Sequence, residues 1–353
     1  LTITGDPTLT INGSATTGAN NYIMGTTFGS GDTVSGGSST SDELSLTVGS
    51  AGQTLGTTSG IEKVDVDFTA AGILNMTNMS GVTTIEISND AVAPTISSMG
   101  ADLTSFVFNE TTARTANTAL TFASTNSADV TITVGATDST STNVAVDIGD
   151  ITMSNASGAV TLSSIGEADN AIDALSIAAA TSLNVGSSTK GITQTGNLTA
   201  TAVASMTVTA DADSVSLGTV TSDADVTSVT LTASGAEAND ITITNLDMDH
   251  VDAITATATD GADITISTLS FDDLDNDGAT DNQVSVILNA TSASSKITVS
   301  AIATPNVADA KIDSLTLTGA GDIDMDDADM GANGAEITIL TAAELTLLRG
   351  GVN

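Results

Sequence analysis

The chain has 353 residues, 43 acids against 6 bases, a formal net charge of -37 and no cysteine. That balance excludes nucleic acid and anionic membrane surfaces as partners, because phosphate contacts need Lys and Arg, and the missing cysteine excludes disulfides, thiol catalysis and thiolate metal sites. A hydrophobic fraction of 40% excludes a disordered acidic tail, and an aromatic fraction of 2% predicts a thin core of Val, Ile, Leu and Ala.

Leu-Thr-Ile at the start is already strand-like, and Leu1 is preceded by neither Met nor a basic-apolar signal, which predicts a mature or partial chain. No apolar run reaches the roughly 18 residues of a membrane-spanning helix. Gly25–Thr40 is rich in Gly and Ser and is the best candidate boundary. Beyond it one pattern recurs, apolar-x-x-apolar-x-apolar. It runs Ile61-Val64-Val66, Val82-Ile85-Ile87 and Leu103-Phe106-Phe108, at intervals of 21 residues. It returns at Ile172-Leu175-Ile177, Val226-Val229-Leu231, Val251-Ile254-Ala256 and Ile312-Leu315-Leu317. A second motif places an acid before a strand: Asp129-Val-Thr-Ile132, Asp240-Ile-Thr-Ile243, Asp263-Ile-Thr-Ile266 and Glu336-Ile-Thr-Ile339. Periods of this length mark stacked repeats, and strict alternation places aliphatics on one face of each strand and Thr, Ser or Asp on the other.

The predicted fold is therefore all-β, a parallel β-helix (β-solenoid) of about 21–25-residue coils with calcium-binding loops. The rival, a row of β-sandwich domains, would need longer periods and usually a buried Trp or Tyr. Four regions are expected: an N-terminal β region at 1–50, a solenoid at 51–270, an acidic calcium loop at 271–283, and terminal coils with a cap at 284–353. Ala168–Leu175 has some helical character, and Thr341–Leu348 could form one short terminal helix. Pro7, Pro94 and Pro305 all fall outside the recurring motifs, as mid-sheet strands require.

The strongest candidate site is Asp273-Leu-Asp-Asn-Asp-Gly-Ala-Thr-Asp281. Asp273, Asp275, Asp277 and Asp281 can wrap oxygen ligands around one Ca²⁺, with Gly278 permitting the sharp turn and Asp272 and Asn282 as possible further ligands. The closing position, which in a helix-loop-helix site holds a bidentate Glu, is Val284, so a sensing role is not expected. Asp322, Asp324 and Asp326 alternate, so on a strand they share one face, where like charges repel unless a cation bridges them. Asp247, Asp249 and Asp252 around His250 form a weaker cluster. His250, the lone histidine, reads as a loop or surface residue rather than a base, and Tyr22 alone cannot make a sugar-stacking platform. The chain is expected not to be an enzyme. Sequons at Asn12, Asn75, Asn78, Asn109, Asn155, Asn197 and Asn289 permit glycosylation and imply no more.

Gly29-Ser-Gly-Asp-Thr-Val-Ser-Gly-Gly37, with Asp32 at its centre, is followed by Ser-Asp-Glu-Leu44 and Gly60-Ile-Glu-Lys-Val-Asp-Val66. This order resembles the RTX-type bacterial surface-layer proteins and related secreted calcium-binding solenoids, over about residues 29–110. Tandem copies of the glycine-rich nonapeptide are missing, which sets the chain apart from RTX toxins and enzymes. The resemblance implies type I secretion, folding that needs Ca²⁺ bound at loops such as that of Asp32, and assembly on the outer cell surface. The expected function is a structural, self-assembling surface-layer subunit, in contact with copies of itself and possibly with cell-surface polysaccharide. The alternatives are a calcium-dependent adhesin or extracellular filament subunit and, third, a β-helix polysaccharide-degrading enzyme.

Overall fold

A computed structural model describes residues 9–13, 18–26, 28–49, 53–88, 93–109, 117–135, 147–165, 169–187, 191–235, 238–271, 283–303, 311–326, 336–341 and 345–348. The chain divides into two compact units, Leu1–Ile177 and Ala178–Asn353. Each is a parallel β-solenoid, and no helix occurs among the described residues.

In the first unit a main sheet stacks the strands Asn21–Gly25, Glu43–Val48, Lys63–Phe68, Thr84–Ser88, Ser105–Asn109, Val130–Val134 and Ala159–Ser164 in chain order. A second sheet takes the alternate strands, from Gln53–Thr54 through Thr118–Asn126 to Leu175–Ser176. Thr10–Asn12, Thr33–Ser35 and Thr57–Ser59 close a short third side at the N-terminal end. The second unit repeats the two-sheet plan. Its main sheet runs from Ser182–Ser187 to Glu336–Thr341, and its other sheet from Ile192–Thr199 to Leu345–Leu348.

Period-two alternation builds the core. In the first unit Leu44, Val64, Ile85, Phe106, Ile132 and Leu162 lie in one register column. In the second, Leu183, Met206, Val229, Ile254, Val286 and Leu315 do the same. All twelve are buried. Each coil thus places an aliphatic on the aliphatic below it, and the backbone ladders leave few groups without partners. The first three copies of the apolar pattern stack 21 residues apart, as the hydrogen bond from the Thr83 hydroxyl to the Glu62 carbonyl illustrates. Bonded positions are 23 residues apart at Thr227 and Ala204, and 33 apart at Lys296 and Asp263, where the coil carries an insertion.

The structure corrects several expectations. Leu175 belongs to the second sheet, so Ile172-Leu175-Ile177 does not continue the column begun by Ile61-Val64-Val66. The acid-led copies also split between sheets, with Asp240 and Asp263 heading one sheet and Asp129 and Glu336 the other. Gly25–Thr40, the candidate boundary, contains the fully buried Phe28 and the paired strand Thr33–Ser35. Asn170–Ile172 and Leu345–Leu348 are strands, not helix. Leu345 and Leu347 sit over Ile323 and Met325, a period-two match that a helix would lose.

Corners demand small residues. Ala210, Ala233, Ala258, Ala290 and Gly319 form one column at the end of the second unit's main sheet. Gly319 has φ +115, and a Cβ there would collide with the Ala290 carbonyl.

Among the described residues, one buried side-chain oxygen is unpartnered. The Thr58 side chain points inward on the short third side, beside Val34, and its hydroxyl has no hydrogen-bond partner. Replacing it with the isosteric Val removes that desolvated oxygen, so Thr58→Val is expected to raise stability by about 1 kcal/mol. A denaturant titration checks this, and an equal or lower midpoint would refute it.

Candidate functional site

Carboxylates fall into two settings, inside the corners and on the outer face. In the corners they accept backbone N–H groups at the coil-to-coil seam. Asp32 is 4% exposed, and its Oδ1 and Oδ2 accept N–H bonds from Leu9 and Gly29, both 2.7 Å. Asp42 is fully buried. Its Oδ1 accepts the Asn20 backbone N–H and side-chain amide, both at 2.8 Å, and its Oδ2 accepts the Gly37 N–H at 2.7 Å. Burial alone would raise the Asp42 carboxyl, but the bonds from Asn20 and Gly37 outweigh it and hold it below the usual aspartate value. The glycine turn around Asp32 is thus a two-coil clamp. Gly56 must lack a side chain because a Cβ there would meet the Asp32 carbonyl.

The acid before each strand has the same role. Asp129 Oδ1 accepts the Ala159 N–H at 3.0 Å. Asp240 Oδ1 accepts that of Asp263 at 2.8 Å, and Asp263 Oδ1 that of Lys296 at 2.7 Å. In each pair the donor aligns in register with the acid, at the entry of the matching strand of the next coil. A parallel ladder leaves that N–H at the strand entry without a backbone acceptor, and a carboxylate makes a strong one.

On the outer face of the first unit, Lys63 bridges Glu86 at 2.7 Å and Glu43 at 3.2 Å. Asn109 donates to Glu86 Oε1 at 2.6 Å, Asn21 donates to Glu43 Oε1 at 2.8 Å, and Ser88 donates to Asp65 Oδ1 at 3.1 Å. Partial burial pulls the Lys63 ammonium down, but Glu86 and then Glu43 outweigh it and hold it above the usual lysine value. Burial, followed by the Glu86 charge, pushes the Asp65 carboxyl up. Neither this network nor Asp42 was singled out from sequence. Lys63 is one of only six bases, and the intervals of 20 and 21 residues that stack Lys63 beside Glu43 and Thr84 are the signal that could have found it.

Of the predicted ligands, Asp272, Asp273, Asp275, Asp277 and Asp281 lie outside the described residues. The strands on either side, Ile264–Phe271 and Gln283–Ala290, stack normally. Val284 is a core residue, 6% exposed, which accounts for its unsuitability as a ligand. Asp322, Asp324 and Asp326 do lie on one strand with Ile323 and Met325 buried between them. The cation beside Asp324 is Lys296, at 2.8 Å. That hydrogen bond, only partly opposed by burial, raises the lysine, and the charges of Asp322 and Asp263 add to it. Asp247 and His250 sit on the strand Ile241–Val251, with Asp252 just beyond it. Among the described residues, no three of His, Cys, Asp and Glu come together as a group that could hold a metal ion. The amides of Asn78, Asn109 and Asn155 donate to Leu55, Glu86 and Phe122 in the neighbouring coils, so three sequon nitrogens are engaged in stacking.

These features define an acidic parallel β-solenoid whose side-chain chemistry is directed at its own coil seams. No protein-family model matches the chain, and neither a curated protein nor a solved structure matches it. No helix among the described residues is long and apolar enough to cross a membrane.

Proposed function

We propose that the chain is a structural subunit of an extracellular, calcium-dependent assembly of the surface-layer kind, secreted and held at the cell surface. The observation that carries this reading is the use of the buried and strand-entry carboxylates. Asp32, Asp42, Asp129, Asp240 and Asp263 all bond backbone of neighbouring coils. A molecule organised this way is built for rigidity. The remaining acids leave a charge of -37 that must be neutralised before copies can approach. The Asp273–Asp281 segment, placed in sequence between two stacked strands, supplies the oxygen-rich pattern a weak extracellular calcium site needs.

Negative-stain images with calcium and with chelator test the reading. A periodic sheet or filament is expected with calcium. Chelation is expected to dissolve it and lower the melting temperature by on the order of 10 °C, as loss of a ligand bound only by the folded state does. An assembly and a melting temperature both indifferent to chelator would remove calcium from the proposal. The absence of any assembly under either condition would remove the structural role.

A further inference from the structure

The main sheet of the Ala178–Asn353 unit has a long uncharged stretch on its outer face. On six successive strands, Ser182–Ser187, Ser205–Ala210, Ser228–Ala233, Ala253–Ala258, Gln283–Ala290 and Lys311–Gly319, the outward positions from Ser182 to Thr318 that lie between the buried columns are Ser, Thr, Asn, Gly or Ala, with one Ile at 287. None of these positions is charged, in a chain with 43 acids. The matching face of the first unit carries Glu43, Lys63, Asp65, Asp67 and Glu86 on its earlier strands, and is uncharged from Ser105–Asn109 to Ala159–Ser164. At the centre of the neutral face two threonine columns run across the strands, Thr207, Thr230 and Thr255 beside Thr209, Thr232 and Thr257. These strands pair without a register shift, so the columns are straight.

We propose that this face is the surface on which a second copy of the chain docks, a proposal that rests on the self-assembling role above. Charge selects the occupant. Two bodies of charge -37 repel wherever acids face acids, so copies can meet closely only across a neutral surface. Threonine then suits a self-contact. Its hydroxyl both donates and accepts, so one grid can bond an identical grid, and its methyl supplies apolar contact. Six strands about 4.8 Å apart, each with three outward positions about 6.7 Å apart, span about 29 by 20 Å. Two such faces would bury roughly 1,200 Å² in total, the lower limit of a specific interface. A contact of that size is weak alone and becomes effective when repeated through a lattice.

The test compares the full chain with two triple variants of equal added charge. One is Thr207→Glu, Thr230→Glu, Thr255→Glu. The other places the same charge on the acid-bearing strands of the first unit through Ser45→Glu, Thr47→Glu and Thr84→Glu. Assembly is followed by light scattering and negative stain in calcium, and folding by circular dichroism. The first variant is expected to need on the order of tenfold more protein to assemble, and the second to assemble close to wild type. Equal behaviour of the two variants overturns the docking face while leaving the structural role intact. Failure of the wild type to assemble overturns both. Should the first variant not fold, single Thr230→Cys and Thr47→Cys variants decide. The chain has no other cysteine, so a maleimide reports each position alone, and assembly is expected to shield Thr230→Cys from labelling and to leave Thr47→Cys reactive. Equal labelling of the two in the assembly, or shielding of Thr47→Cys alone, refutes the proposal.

Discussion

Phe106→Ala is expected to lower the unfolding free energy by about 3–5 kcal/mol, the usual cost of emptying a buried aromatic site. Phe106 is fully buried and stands in the main-sheet column between Ile85 and Ile132. Its ring meets the edge of Phe122, which comes from the second sheet, with centroids 6.4 Å apart and an interplanar angle of 80°. The pair ties the two sheets of the first unit across a core filled mostly by aliphatics. Stacked coils above and below limit the collapse that would shrink the cavity, which places the cost toward the upper end of the range. Denaturant titration of Phe106→Ala, Phe122→Ala and the double variant measures both the loss and the coupling. A loss under about 1 kcal/mol for Phe106→Ala would show that the column relaxes, contrary to the tight stacking argued above.

Asp42→Ala is expected to cost about 4–5 kcal/mol at neutral pH, because bonds to a charged acceptor are each worth roughly 1.5–3 kcal/mol and three donors lose theirs, each taken at the lower end. Those donors are the Asn20 N–H, the Asn20 amide and the Gly37 N–H. The pH dependence follows from the sign of the shift. The Asp42 carboxyl is held below its usual value in the folded chain. Its contribution is therefore complete above the unfolded aspartate value of about 3.9 and disappears as pH falls through the lower folded value. The gap in stability between wild type and Asp42→Ala should be full at about pH 7, still nearly full at about pH 5, and should shrink as pH falls below the unfolded value of about 3.9. Thermal melts across that range check it. A gap that stayed constant to the lowest pH would mean that the charged form is not what holds the turn.

Much of the fold is legible in the residues themselves. Ile61-Val64-Val66, Val82-Ile85-Ile87 and Leu103-Phe106-Phe108 share one spacing and one interval, and the columns they form follow from both. The alternation of Asp322, Ile323, Asp324 and Met325 likewise foretells which side chains are buried. The assignment of each strand to a sheet is not legible. Asp240-Ile-Thr-Ile243 and Glu336-Ile-Thr-Ile339 are nearly the same tetrapeptide and lie in different sheets. A strand's sheet depends on how many turns precede it in its coil, and the four residues do not record that.

The candidate site shows the same division. Sequence alone determined that the core would hold few aromatics and that the chain carries no cysteine and one histidine, because composition and periodicity are local properties of the chain. Only the tertiary structure decided what each carboxylate meets. Asp32 reads as a calcium ligand in its glycine-rich turn, and in the fold it receives the N–H groups of Leu9 and Gly29. Asp240 and Asp263 read as turn acids, and each receives the strand-entry N–H of the coil that follows. These partners lie 23 and 33 residues from their acids. Stacking, rather than sequence proximity, brings them within hydrogen-bond range, because a solenoid pairs each residue with the equivalent position one coil away.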